Sequence, residues 1–140
     1  MNDPYDLARF LAAQDRQYPQ VLSELREGRK TSHWMWYIFP QIRGLGWSET
    51  SRFYAISSLA EAKAYLAHPI LGPRLLECTS GINKIANRSI IEILGDVDAA
   101  KFRSSMTLFR EASAETDAFR AALDKYFDGK PDALTLAALG

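Results

Sequence analysis

The chain has 140 residues, 47% of them apolar and 24% charged, with 17 basic and 17 acidic side chains. This is the composition of one ordinary globular domain over residues 1–140, long enough to bury a real core. The balanced charge excludes a global field for nucleic acid or an anionic membrane, and no apolar run approaches the length of a membrane span. Cys78 is the single cysteine, so no internal disulfide is available. The opening Met1-Asn2-Asp3-Pro4-Tyr5-Asp6 lacks the charged and apolar regions of a secretory signal. Both features point to a reducing, cytoplasmic setting.

In chain order the pattern is helical. Asp3-Pro4 reads as a helix start, a capping residue followed by proline at the first helical position. Leu7, Phe10 and Leu11 form the apolar stripe. Tyr18-Pro19 predicts a break or kink, and Val21, Leu22 and Leu25 resume helical spacing up to Gly28, a C-terminal cap. Arg29 and Lys30 follow in a linker.

The stretch from Gly28 to Ser48 holds all three tryptophans, one of the two histidines and no carboxylate. Read as a helix from near Ser32, it sets His33, Trp36 and Tyr37 on one face, Trp34 and Ile38 on another, and Met35 with Phe39 on a third. A helix apolar all round is a buried helix, and Pro40 ends it at Phe39. Read as a strand, both faces are bulky. The helix is preferred because everything around it reads helical. Gly44-Leu45-Gly46 is a loop.

Ser48-Glu49-Thr50-Ser51 caps a short helical turn carrying Phe53 and Tyr54. Ser58 with Glu61 has the spacing of a capping box, and opens a helix that His68-Pro69 closes. Leu71-Gly72-Pro73 leads into a helix with Leu75, Leu76, Ile82 and Ile85 inward. Ser89 with Glu92 is a second box, opening a short helix that stops at Gly95. Asp96-Val97-Asp98 starts a helix with a core stripe of Phe102, Met106 and Phe109. Thr116-Asp117 starts another with Phe119, Leu123, Tyr126 and Phe127 inward, and Pro131-Asp132 caps the last. The expected fold is all-α, a single compact domain of seven or eight short helices around a buried aromatic segment.

The aromatic segment is the place for a ligand. Arg26, Arg29, Lys30, Arg43 and Arg52 outnumber Glu27 and Glu49, and they interleave with rings that a planar ligand can stack on. The alternative is a solvated rim over a buried aromatic core. His33, beside two tryptophans, is the candidate for proton transfer; otherwise it is a buried neutral histidine with two hydrogen bonds. Gln41, beside a rigid proline, either reads a ligand or satisfies buried backbone. A second polar group gathers Asp96, Asp98, Lys101, Ser104, Ser105 and Thr107. Here Asp96 reads as a helix cap, Asp98–Lys101 as an ion pair, and the serines as close packing or donors to a ligand. The two histidines and one cysteine give no metal-binding spacing, and no motif names a cofactor.

The run Gly28-Arg29-Lys30-Thr31-Ser32-His33-Trp34-Met35-Trp36-Tyr37-Ile38-Phe39-Pro40-Gln41, followed by Gly44-Leu45-Gly46, closely resembles a widespread, mostly bacterial family of unknown function. The resemblance continues through Glu61-Ala62, Tyr65-Leu66, His68-Pro69, Leu71-Gly72 and Arg74-Leu75. It ends with Asp98, Lys101 and Ser104-Ser105-Met106-Thr107-Leu108-Phe109. It spans nearly the whole chain and implies a small all-helical domain without an established reaction. The family is often labelled calpastatin. That label implies a long, disordered, repeat-bearing inhibitor, and this chain has no repeat and a full core, so the label is rejected.

The leading expectation is therefore a ligand-binding domain or enzyme acting on a small phosphate-bearing or nucleotide-like molecule. Lys30 and Arg43 hold the anion, Trp34, Trp36 or Trp47 stacks on the ring, and His33 with Gln41 orients it or moves a proton. Tyr37, Asp98, Lys101 and Ser104 complete the binding set. The alternative is a non-catalytic protein-interaction module anchored by Trp47 and Tyr54. Nucleic acid ranks third, because the overall charge is neutral.

Overall fold

Several helix starts fall where a short polar side chain reaches a free backbone amide. The computed structural model describes residues 2–114 and 117–140. Among these the chain forms nine α-helices and no strand, with one isolated parallel bridge between Ile42 and Ile56. Helix α1 (Ala8–Glu27) follows Asp3, whose carboxylate accepts from the amides of Leu7 at 2.8 Å and Ala8 at 3.1 Å. It closes at Gly28, which is left-handed at φ 77° and sends its amide back to Leu25. Of the break or kink expected at Tyr18-Pro19, no break occurs, and α1 runs on through Pro19. Pro19 and Asp15 are both exposed, so the carbonyl left without an N–H partner stays in water.

Helix α2 (Met35–Ile38) is shorter than its sequence suggests and begins at Met35 instead of near Ser32. The amides of Thr31 and Ser32 are already taken by the Glu24 carboxylate, at 2.8 and 3.1 Å, so the chain there wraps onto α1. Its end at Phe39, before Pro40, is as expected. Ser48 caps α3 (Glu49–Phe53), Ser58 caps α4 (Leu59–Ala67), Ser89 caps α6 (Ile90–Leu94) and Asp132 caps α9 (Ala133–Leu139). In each case the side chain accepts from the amide three residues on. Ser89 and Glu92 complete the reciprocal box. Ser58 and Glu61 do not, because the Glu61 carboxylate turns to the Ser57 amide and hydroxyl and to Arg9.

Helix α5 (Leu71–Asn83) is capped from outside: His68 Nδ1 accepts from the amides of Ile70 and Leu71 at 3.1 and 3.2 Å. Helix α7 (Asp96–Ala112) starts from Gly95 with no side-chain cap. The capping role expected of Asp96 is absent, since Asp96 is already the first helical residue. Helix α8 (Ala118–Phe127) ends in a left-handed Asp128; the expected start at Thr116 lies outside the described residues.

Helix α7 is the axis of the fold, packed by α4, α6, α8 and α9, while α5 lies against α1, α4 and α8. The buried side chains form one cluster. Ring contacts run through it: Phe10 to Tyr65 at 5.1 Å, Tyr65 to Phe109 at 5.3 Å, and Phe39 to Phe102 at 4.9 Å between centroids. The α4–α5 corner depends on Gly72, where a Cβ would stand 2.2 Å from the Leu66 carbonyl oxygen. The aromatic segment is only partly interior. Trp34 is fully buried and Trp36 half-buried, but Trp47 is 84% exposed. The loop between the Ile42–Ile56 bridge and the Ser48 cap, which turns through Gly44 at φ 101°, carries Trp47 outward. No helix among the described residues is long and apolar enough to cross a membrane.

Candidate functional site

A buried acid holds the segment that carries the site. Glu24 lies in register with Val21, Leu25 and Gly28 on the inward face of α1. One of its oxygens accepts from the amides of Thr31 and Ser32 and from the Trp34 indole at 2.9 Å. The other accepts from the Ser32 hydroxyl and from Gln20. Burial pushes its carboxyl pKa up, and this set of donors overrides that and brings it down to about 2. The backbone amide of Lys30 is pinned at 2.8 Å to the Ile93 carbonyl at the end of α6. The chain from Lys30 to Trp34 is therefore fixed from both sides before any ligand is considered.

With that segment fixed, Lys30 meets the first turn of α7. Its Nζ lies 2.8 Å from one oxygen of Asp98, and Lys101 Nζ lies 3.4 Å from the other. One carboxylate thus bridges two ammonium groups, leaving one net positive charge. All three side chains are largely enclosed, 8% exposed for Lys30, 17% for Asp98 and 19% for Lys101. Each ammonium also faces an indole. Lys30 Nζ stands 5.2 Å from the centre of Trp34, and Lys101 Nζ stands 3.7 Å from that of Trp36. The quadrupole of each ring favours a cation in that place. Trp36 also lines a narrow crevice with Gln41, Arg43, Gly44 and Arg52.

The structure thus brings Lys30, Trp34, Trp36, Asp98 and Lys101 together, and Gln41 and Arg43 share a crevice with Trp36. The other expected residues lie elsewhere. Tyr37 donates its hydroxyl to Gln17 and to the His33 carbonyl, and packs 5.4 Å from Tyr54. It faces a shallow depression lined by Arg9, Arg16 and Phe53. His33 is exposed, so the buried neutral histidine weighed from the sequence is corrected. The Ser104 hydroxyl is engaged by the Ala100 carbonyl at 3.2 Å and Asp132 at 3.3 Å, at the α7–α9 junction. Trp47 projects from the surface.

Cys78 is a buried core residue whose thiol burial pushes up to about 12, far from the range of a reactive thiolate. Among the described residues, no group of three or more His, Cys, Asp and Glu comes together to hold a metal ion. Two hubs escaped the sequence reading: Glu24, and Arg9, whose guanidinium ties Tyr5, Phe53, Ala55 and Glu61 together. For Glu24 a signal was present, an acid standing in the apolar register between Val21 and Gly28.

No curated protein matches the chain. The crystal structure of the conserved hypothetical protein Rv1873 from Mycobacterium tuberculosis is similar to it over 98% of each chain, at 53% identity and a TM-score of 0.97. A family model described as "Protein of unknown function (DUF1810)" matches residues 4–139, and the chain belongs to that family.

Proposed function

We propose that this chain is a cytoplasmic binding protein for a small phosphate-bearing, nucleotide-like molecule, seated at Lys30, Asp98 and Lys101 beside Trp36. One observation carries the proposal: two enclosed ammonium groups share a single carboxylate, and each is backed by an indole. The net positive charge left over complements an anion, and a half-exposed indole beside it offers a stacking face. Gln41 and Arg43, which line a crevice with Trp36, supply an amide and a third cation for the polar edge of the ligand. A proton-transfer role for His33 belongs to the same proposal; its ring is exposed and close in sequence to Trp36.

The test is thermal melting and calorimetry with adenosine monophosphate, adenosine and inorganic phosphate. A ligand at 100 times its Kd stabilises by about 2.7 kcal/mol, a clear shift in melting temperature. The expected pattern is stabilisation by the monophosphate, little by adenosine, and loss of the effect in Lys101→Met. A wider panel of phosphorylated metabolites that gives no shift at all removes the proposal.

A second reading, a protein-interaction module, rests on Trp47, which is 84% exposed. Tyr54 is less suited as an anchor, being packed against Phe10, Tyr37 and Phe53. This reading predicts partner capture that Trp47→Ser abolishes and Lys101→Met leaves intact.

A further inference from the structure

The last turns of α1 and α5 enclose a groove that shares no residue with the Lys30–Asp98–Lys101 constellation. Leu22, Leu25 and Arg26 come from α1, and Glu77, Ser80, Gly81 and Lys84 from the end of α5 and its cap. Ile85 and Arg88, in the link to α6, close its far side. Its volume is about 660 Å³, within the ordinary range of small-molecule sites.

Gly81 gives part of the groove floor no side chain. Gly81 faces Leu25 with space between them; an added Cβ would sit 3.8 Å from Leu25 Cβ and Cδ1, in ordinary contact. A glycine inside a helix costs stability relative to alanine, and here it leaves the floor of the groove open.

The lining has a definite chemistry. Its floor is aliphatic, Leu22, Leu25 and Ile85, and no lining residue carries an aromatic ring. Its rim carries Arg26, Lys84 and Arg88 against Glu27 and Glu77. Glu77 already accepts the Tyr18 hydroxyl. Arg88 is within electrostatic reach of Glu92. None of the three cations is held in an ion pair among the described residues. The stem of Arg88 lies against Gly28, where a Cβ would stand 3.4 Å from its Cδ and Nε, which sets this guanidinium at the edge of the groove.

We infer that the α1–α5 groove binds a medium-chain aliphatic carboxylate, its chain on Leu22, Leu25 and Ile85 and its headgroup between Arg26, Lys84 and Arg88. The absence of rings disfavours a stacked base, and guanidinium groups present the fork that a carboxylate accepts. Chain and headgroup should both be needed.

The experiment is a titration of the full chain with decanoate, followed by amide NMR and calorimetry, with decanol and acetate as controls. Decanoate should perturb the amides of Leu25, Gly81 and Ile85 selectively. Decanol and acetate should each bind at least about tenfold more weakly. Gly81→Leu should fill the floor and abolish binding while keeping the melting temperature. The exposed-site variant Arg26→Glu/Arg88→Glu should weaken binding by about tenfold or more even if Gly81→Leu folds poorly. The inference is overturned by no perturbation of those amides, by decanol binding as well as decanoate, or by unchanged affinity in the charge-reversed variant. None of these outcomes bears on the Trp36 site, which a monophosphate reports separately.

Discussion

Replacing Glu24 by glutamine tests how the site-bearing segment is held. The carboxyl falls from its ordinary value of 4.5 to about 2 in the folded chain. At about 1.4 kcal/mol per pH unit this difference corresponds to about 3 kcal/mol of stability. Because the folded value is the lower one, that stability is complete above pH 4.5 and is lost as pH falls towards 2. Glutamine preserves the shape and one acceptor oxygen, but removes the charge that strengthens the bonds from Trp34, Thr31 and Ser32. It also puts an NH2 where Gln20 donates, so that one of the two amides must turn. Glu24→Gln should therefore cost about 3 kcal/mol at pH 7, or about 10 °C in melting temperature for a chain of this size. Urea unfolding at pH 7, 4.5 and 3, followed by circular dichroism, measures it. The deficit should shrink steadily as pH falls, because wild type loses the same contribution by protonation. A deficit below about 1 kcal/mol at pH 7, or one equal at pH 7 and pH 3, would refute the reasoning.

Three further variants probe the frame. Gly72→Ala drives a Cβ to 2.2 Å from the Leu66 carbonyl oxygen and must separate α4 from α5; a loss of about 3 kcal/mol in denaturant melts is expected. Thr79→Val removes a buried hydroxyl that has no hydrogen-bond partner among the described residues, so stability should rise by about 1 kcal/mol, the sign being the informative part. Ser89→Ala takes away the hydroxyl that accepts from the Glu92 amide at the start of α6 and keeps the residue-89 amide that donates to the Glu92 carboxylate, for an expected loss of about 1 kcal/mol and faster amide exchange in that helix.

Local signals in the sequence were legible wherever one residue settles one backbone group. Ser48, Ser58, Ser89 and Asp132 cap the helices their spacing announces, and Gly28 takes the left-handed turn expected of it. Phe102, Met106 and Phe109 face inward as their helical spacing requires. Misreadings arose where a distant group competes for the same atoms. Glu24 takes the amides that would have begun α2 near Ser32, and Arg9 draws Glu61 away from its box. The candidate site shows the same division. Asp98–Lys101 follows from spacing on one helix, whereas Lys30 reaches Asp98 only because the fold brings the α1–α2 link onto α7. Periodicity carries no information about such a pairing. The α1–α5 groove was hidden for a related reason: its floor is a space above Gly81, and a cavity leaves no residue in the sequence to mark it.

The most direct test of the binding account is calorimetry of adenosine monophosphate against wild type and Asp98→Asn. Asp98 is the carboxylate that an incoming anion must share its two cations with. Neutralising it doubles the net positive charge, so affinity should rise by about tenfold even though the fold loses an ion pair. Unchanged or weaker binding in folded Asp98→Asn would contradict the assignment of Lys30 and Lys101 as the anion's seat.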